Sequence, residues 1–178
     1  LYEFYPKLRV NMNNKLYWAN TFKKFNINHP DLICYKKDGK LILIKQLQER
    51  KKYIVKPING WLGYKIDAIS GKDIIEYSKK NNNFLVQEKL FDCIYGKARH
   101  FRLLTLYDGK IFSLWTLRTK DKREIASNSA KGAIVEYCED FNCNLKNRAQ
   151  LELDKIINKL QKLHKELYYN VITIGWDI

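Results

Sequence analysis

Several residue types are scarce in this sequence, and each shortage excludes a class of structure or site. The chain has only three histidines, and its four cysteines include no C-x-x-C pair, so the spacing of a zinc site is lacking. The histidines do not cluster in sequence with a serine or cysteine nucleophile, so nothing indicates a catalytic triad. No apolar run approaches the roughly eighteen residues of a membrane span. The cysteines are by default reduced structural thiols, which predicts a cytoplasmic protein.

Acidic residues are also in short supply. The chain has 33 lysines and arginines against 19 aspartates and glutamates, and the resulting charge of +14 favours anionic partners such as nucleotide phosphates, nucleic acid or acidic membrane surfaces. Hydrophobic residues still make up 46% of the 178 positions, which predicts a folded domain, or two small lobes, rather than a disordered chain. Because the chain starts at Leu1 and stops at Ile178 inside an apolar run, we expect it to be a piece of a longer protein.

The most informative stretch runs from Tyr53 to Ile69. Two alternating, β-branched runs flank the linker Asn-Gly-Trp-Leu-Gly, which predicts a hairpin with a glycine loop. Lys56 stands at the end of the first run, and Pro57 holds it extended beside the loop. Backbone N–H groups around Gly60 and Gly63, together with the lysine ammonium, are suited to bind a phosphate. An ordinary edge hairpin is the alternative at this point.

Shorter signals organise the rest of the chain. Asn14 can cap a helix whose first turn contains Lys15. A solvated surface lysine is the alternative here, but a cation at that position is better explained by an anion lying opposite, so Lys15 is a candidate phosphate contact. The segment from Lys40 to Arg50 fits both a hairpin across Asp38-Gly39 and a helix, and its composition favours the helix.

The second half of the chain begins with another hairpin, predicted across Asp108-Gly109. A long amphipathic helix is predicted over about Arg148 to Tyr168, followed by a strand from Val171 to Ile178. Asp177 lies in that last apolar strand, where a carboxylate needs a cation or hydrogen bonds, so a metal partner is indicated.

The order of these motifs resembles the ATP-grasp superfamily. The series is an Asn-Lys helix, Val-Lys-Pro with a glycine loop, Val-Gln-Glu-Lys-Leu, His-Phe-Arg-Leu-Leu, Leu-Arg, Ser-Asn-Ser-Ala-Lys-Gly-Ala, a long helix and Gly-Trp-Asp-Ile. It is similar to the α-L-glutamate ligases and to the spore-coat-associated and sugar-transfer-associated members. The resemblance implies an α+β fold in which two lobes hold a nucleotide between them. The implied divisions are an entry segment over 1–12, a first lobe over 13–86 and a second lobe over 87–178.

The resemblance also implies a set of site residues. Those implied to contact the nucleotide, or to cover its phosphates as a lid, are Lys15, Lys56, Asn59, Gly60, Trp61, Gly63, Gln87, Glu88, Lys89, Leu90 and His100. Those implied to act in catalysis on the phosphate side are Arg102, Arg118 and Asn128. Asp177 is implied to be the first Mg²⁺ ligand.

Three departures accompany the resemblance. His100 stands where the glutamate ligases carry an aspartate, and Ala126 stands where they carry an arginine. The remaining metal ligands of the family, a Glu-x-Asn, are expected beyond Ile178.

The implied activity is ATP- and Mg²⁺-dependent ligation, in which a carboxylate is activated as an acyl phosphate and captured by an amine or another nucleophile. The partners are then ATP and an unidentified carboxylate with its acceptor, and no specific nucleic acid. Two alternatives remain, a relative that binds nucleotide without catalysis and a basic nucleic-acid-binding domain.

Overall fold

The computed structural model describes residues 13–59, 65–90, 99–118, 134–139, 143, 145 and 147–178. The chain divides into two compact units, Leu1–Leu90 and Phe91–Ile178, and the described residues of each form one sheet. Helices and antiparallel strands occur in both units, so the predicted α+β class is confirmed. The predicted lobe boundary after residue 86 stays a prediction, and residues 87–90 lie in the first unit.

The first unit contains a five-stranded antiparallel sheet in the order β2-β1-β5-β3-β4. Its elements are α1 (Lys15–Lys24), β1 (Leu32–Lys37), β2 (Lys40–Leu43), β3 (Lys52–Pro57), β4 (Asp67–Ser70), a 3₁₀ turn (Gly71–Asp73), α2 (Ile74–Lys80) and β5 (Phe84–Glu88). The core is a cluster of buried, mostly apolar side chains from β1, β3, β5 and α2: Ile33, Cys34, Tyr53, Val55, Ile74, Phe84 and Val86. Gly71 is buried where a Cβ would clash with the carbonyl oxygen of Gln48, so no larger residue fits.

The segment after Asp38 is a hairpin, and the helix favoured for residues 40–50 is wrong. Asp38 and Gly39 both have positive φ, 50° and 79°, which is the backbone of a tight two-residue turn. β2 then pairs with β1 from Lys40 onward. The residues after the turn form a strand rather than a helix, because helix propensity is a weak preference and the pairing with β1 overrides it. β2 is an edge strand, and a row of apolar side chains on or next to it is exposed: Ile42, Leu43 and Ile44.

The second unit contains a four-stranded antiparallel sheet in the order β8-β7-β6-β9. Its elements are β6 (Arg99–Leu106), β7 (Ile111–Arg118), β8 (Ile134–Tyr137), α3 (Asn147–Leu167) and β9 (Thr173–Asp177). The predicted hairpin across Asp108-Gly109 is confirmed, with φ of 82° at the glycine. The predicted long helix is confirmed to within one residue at each end. No helix in the described part of the chain is long and apolar enough to cross a membrane.

The core of the second unit combines apolar and polar side chains. The buried stripe of α3 consists of Leu153, Ile157, Leu160 and Leu163. A chain of hydrogen bonds lies beside it. The Trp176 indole N–H donates to Thr105 Oγ1 at 2.8 Å, Thr105 Oγ1 lies 2.7 Å from His164 Nδ1, and His164 Nε2 lies 2.8 Å from the Val171 carbonyl oxygen. We call these four residues the Thr105 network.

The cysteines differ from the sequence expectation. Cys138 and Cys143 are joined in a disulfide between the end of β8 and the start of α3, so the prediction of reduced thiols is wrong for this pair. Both cysteines are buried. They are five positions apart in the chain, and their Cα atoms are 4.7 Å apart. Cys34 is a buried free thiol whose pKa is raised to about 11 by burial. The cytoplasmic location stays a prediction.

Candidate functional site

The start of α1 lies against the end of β3 in the first unit. Asn14 caps the helix through its side chain, as predicted, and also forms an isolated β-bridge with Asn59. The Lys15 backbone N–H donates to the Ile58 carbonyl oxygen at 2.9 Å. These contacts join the first residue of the helix to the segment that follows Lys56. Two lysines that are distant in sequence therefore lie in one neighbourhood.

Both lysines are partly buried, and the charge of Lys15 also acts on Lys56. The pKa of Lys56 is lowered, mainly because the half-buried ammonium loses solvation and also because the charge of Lys15 repels it. Burial lowers the pKa of Lys15 as well. None of the ion pairs between described residues includes Lys56. Two desolvated cations so placed would be stabilised by an anion that contacts both, which is the chemistry of a phosphate site.

The glycine loop beside these lysines is only partly described. Asn59 is exposed at its start, whereas Gly60, Trp61 and Gly63 lie outside the described residues. The proposed lid therefore stays a prediction.

The polar pair Gln87 and Glu88, which the resemblance implies to contact the nucleotide, lies in β5, between β1 and β3. Gln87 is buried, and its Nε2 donates to the Pro30 carbonyl oxygen at 3.2 Å. Glu88 accepts from the Lys51 ammonium at 2.5 Å, in a pair that is partly exposed. Lys89 is half-buried and Leu90 is exposed after the strand. The side chains of the polar pair thus hold neighbouring segments of the first unit.

In the second unit, one row of side chains crosses the whole sheet on a single face. Tyr137 of β8 pairs with Trp115 of β7, Trp115 pairs with Arg102 of β6, and Arg102 pairs with Asp177 of β9. Directly paired residues of antiparallel strands present their side chains on the same face. We call these four residues the Arg102 row. Trp176, the neighbour of Asp177, turns to the other face and is buried.

Two members of the row form an ion pair. Arg102 Nη1 donates to Asp177 Oδ1 at 2.5 Å, and the two side chains are 45% and 71% exposed. A Cβ on Gly175 would lie 3.2 Å from Arg102 Nη2 and 3.2 Å from Leu104 Cδ2. Because glycine has no side chain, the guanidinium of Arg102 can lie across β9 at Gly175. Because an exposed pair contributes at most about 1 kcal/mol, its effect is to orient the two groups rather than to stabilise the fold.

Asp177 differs from its expected setting. The sequence suggested a carboxylate among apolar residues, but strand alternation turns Asp177 to the opposite face from Trp176, and it is exposed. Among the described residues no group of three or more His, Cys, Asp or Glu side chains is placed to hold a metal ion. A single carboxylate suits Mg²⁺, which usually retains water and takes its other ligands from substrate phosphates. Asp177 therefore fits as one ligand, and its metal role stays a prediction.

Three other predicted residues of the second unit remain open. His100 is half-buried on β6 opposite Leu117, and Arg118 is the last residue of β7. Asn128 and the departure at Ala126 lie outside the described residues. Their roles stay predictions.

Comparison with known proteins adds evidence on the fold. No family profile matches this chain, and no curated protein matches it. Several solved structures, in contrast, are similar to this chain. An L-amino acid ligase from Bacillus licheniformis is similar with a TM-score of 0.56 at 16% identity, over 89% of this chain and 34% of the ligase. A D-alanine–D-alanine ligase from Bacillus anthracis, complexed with ATP, has a TM-score of 0.55 at 16% identity, over 93% of this chain and 50% of the ligase.

A third solved structure bears directly on the resemblance seen in the sequence. The ATP-grasp ligase PsnB, complexed with a minimal precursor, has a TM-score of 0.52 at 13% identity, over 97% of this chain and 49% of the ligase. This chain has the ATP-grasp fold. The fold predicted from motif order is thereby confirmed. The chain spans between 34% and 50% of the length of these three ligases.

Some residues of the second unit were not singled out from the sequence. Trp115 and Tyr137 lie on the same sheet face as Arg102 and Asp177, and only strand pairing reveals it. In the sequence, Trp115 follows Ser113 by two positions. Alternation along a strand places two such residues on the same face of the sheet, and this pattern could have drawn attention to Trp115. The register that aligns it with β6 was not readable from sequence.

Proposed function

We propose that this chain forms the nucleotide-binding core of an ATP- and Mg²⁺-dependent ligase that joins a carboxylate to an amine or a similar nucleophile. The observation that carries the proposal is that backbone contacts bring Lys15 and Lys56, whose ammonium groups are both desolvated, into one neighbourhood. The ATP-grasp fold supports it, since solved ligases share that fold. Two of them, the L-amino acid ligase and the D-alanine–D-alanine ligase, join amino acids, and we extend only the reaction class to this chain.

The reaction has two steps in this proposal. A substrate carboxylate oxygen attacks the γ-phosphorus of ATP, the bond to the bridging oxygen breaks, and ADP leaves. The acyl phosphate is then attacked by the nucleophile, which displaces inorganic phosphate and loses a proton. Lys15 and Lys56 would bind phosphate oxygens, and the fixed guanidinium of Arg102 would neutralise charge that develops near β6 and β9.

The remaining predicted residues have roles in the same scheme. Backbone groups from Gln87 to Leu90 would bind adenine, the loop from Asn59 to Gly63 would cover the phosphates, and Arg118, Asn128 and His100 would contact the nucleotide or the transferred group. Mg²⁺, when bound, supplies positive charge to the phosphoryl oxygens, and Asp177 is the residue we propose to hold it.

The direct test is ATP affinity measured by calorimetry for Lys56→Ala. Loss of a charge-assisted phosphate contact is worth about 1.5–3 kcal/mol, so affinity should fall roughly ten- to hundredfold. Lys52→Ala is the matched control, because Lys52 lies on the same strand β3 but is exposed. Affinity that is unchanged in Lys56→Ala, or that falls equally in both variants, would contradict the proposal.

A further inference from the structure

The Arg102 row has a charged half and an aromatic half. The Arg102–Asp177 pair occupies β6 and β9, whereas Trp115 and Tyr137 occupy β7 and β8. The two aromatic rings are in edge contact, with centroids 6.1 Å apart and planes at 61°. Tyr137 is 57% exposed. The row therefore presents a guanidinium and two aromatic rings side by side.

The aromatic half of the row is not part of the core of the second unit. The core lies on the other face of the sheet, where the α3 stripe and Trp176 are buried. Partly exposed aromatic rings next to an arginine are typical of a binding surface, whereas a sheet face that contacts only water is mostly polar. Val135, also on β8, is 50% exposed and extends the apolar area beyond Tyr137.

We propose that the Arg102 row binds the carboxylate substrate of the ligase, and that this substrate carries an aryl group. The acid group would contact the guanidinium of Arg102, and the aryl group would pack on Trp115 and Tyr137. The inference rests on the proposed function for its place in the reaction, and it names the substrate class that the sequence left open.

Charge and size both support an aryl-bearing acid. A guanidinium has several N–H donors in a planar fork, so Arg102 can keep its contact with Asp177 and donate to a second carboxylate. Directly paired side chains lie about 5 Å apart, so the step from Arg102 to Trp115 and on to Tyr137 covers about 5–10 Å. That is the separation of acid and ring in an arylalkyl carboxylate. A short aliphatic acid would contact Arg102 and leave the rings uncovered.

The test compares two acids by NMR in the absence of nucleotide. The indole N–H resonance of Trp115 is followed while 3-phenylpropionate or propionate is added. We expect 3-phenylpropionate to bind at least about tenfold more tightly, because only it covers the rings. Trp115→Leu, followed through the backbone amide of Arg102, should remove this preference. Phe112→Leu is the matched control and should keep it, since Phe112 is an exposed aromatic of the same strand outside the row.

Each outcome bears on the inference. Equal affinity for the two acids, or a preference that survives in Trp115→Leu, would overturn it. A stronger response of the Trp115 resonance to adenosine than to 3-phenylpropionate would overturn it as well, because the face would then take the base. Weak ATP binding together with an intact preference for the aryl acid would overturn the proposed function alone, because the acid titration contains no nucleotide.

Discussion

The two units of this chain differ in how their cores are built. In the first, the core cluster is almost entirely apolar, and its thiol, Cys34, stays protonated because burial raises its pKa to about 11. In the second, the Thr105 network runs through the core and contains a histidine. Apolar burial is non-directional and independent of pH, whereas a buried hydrogen-bonded chain requires each donor to meet an acceptor. We therefore expect the described core of the second unit to be more sensitive to pH than the core cluster of the first.

The Thr105 network has one consistent arrangement of protons. Trp176 can only donate, so the Thr105 hydroxyl accepts from it and gives its own hydrogen to His164 Nδ1. His164 Nε2 then carries the ring hydrogen and donates to the Val171 carbonyl. This order requires a neutral imidazole, in agreement with the burial that lowers the pKa of His164.

The largest expected effect comes from opening a cavity in the apolar core. Phe84 is 2% exposed and packs edge-on against Tyr77, with ring centroids 5.1 Å apart. Phe84→Ala should destabilise the first unit by about 3–5 kcal/mol, measured by urea unfolding with hydrogen exchange in β5. Phe112→Ala, at a residue that is 64% exposed, should cost less than about 0.5 kcal/mol. Similar losses in the two variants would show that the core is not where the structure has it.

A smaller effect is expected when the Thr105 network is broken without a change of shape. Thr105→Val removes the hydroxyl that accepts from the Trp176 indole N–H and bonds His164 Nδ1, which should cost about 2–3 kcal/mol. Ser113→Ala is the control, because the buried Ser113 hydroxyl has no hydrogen-bond partner among the described residues. That change should be neutral or slightly stabilising. If both variants lost the same stability in chemical denaturation, the network would have no special role.

The smallest effect is a dependence on pH confined to the second unit. The pKa of His164 is lowered from its ordinary 6.5, chiefly by burial and against weaker opposing effects of the Val171 carbonyl and Asp108. The unfolded chain then binds more protons than the folded one, so the stabilisation is complete above about pH 6.5 and is lost as pH falls through the lowered pKa of the folded state. The protection factors of the α3 amides, which correct for the slower intrinsic exchange at lower pH, should fall as pH drops from about 6.5 to about 5, and should fall less in His164→Gln. An equal fall in the core of the first unit would contradict this.

The features that could be predicted from sequence are those determined by neighbouring residues. The Asn14 cap, the Asp108-Gly109 hairpin and the long helix each depend on a few adjacent positions, and all three are present. Motif order identified the fold because it combines many weak local signals. The helix favoured after Lys40 was wrong because two local signals competed there and the turn prevailed.

The candidate site was less predictable because it depends on pairings between distant segments. Arg102 and Asp177 were both singled out, but 75 positions separate them, and no local pattern indicates that β6 and β9 are adjacent. The Thr105 network joins α3 to the same two strands and was missed for that reason. The disulfide was missed because a separation of five positions matches no common cysteine motif.

The exposed edge of the first sheet has a consequence for how the protein behaves when it is concentrated. Among the described residues β2 is paired on one side only, beside the apolar side chains of Ile42, Leu43 and Ile44, and such an edge is a template for pairing with another copy. Lys40 is the first residue of β2, and the whole chain carries +14. Mutual repulsion thus keeps copies dispersed, and it weakens as the Debye length shrinks to about 3 Å near 1 M salt. We therefore expect the protein to aggregate more readily at high ionic strength and to stay monodisperse in buffers of low salt concentration.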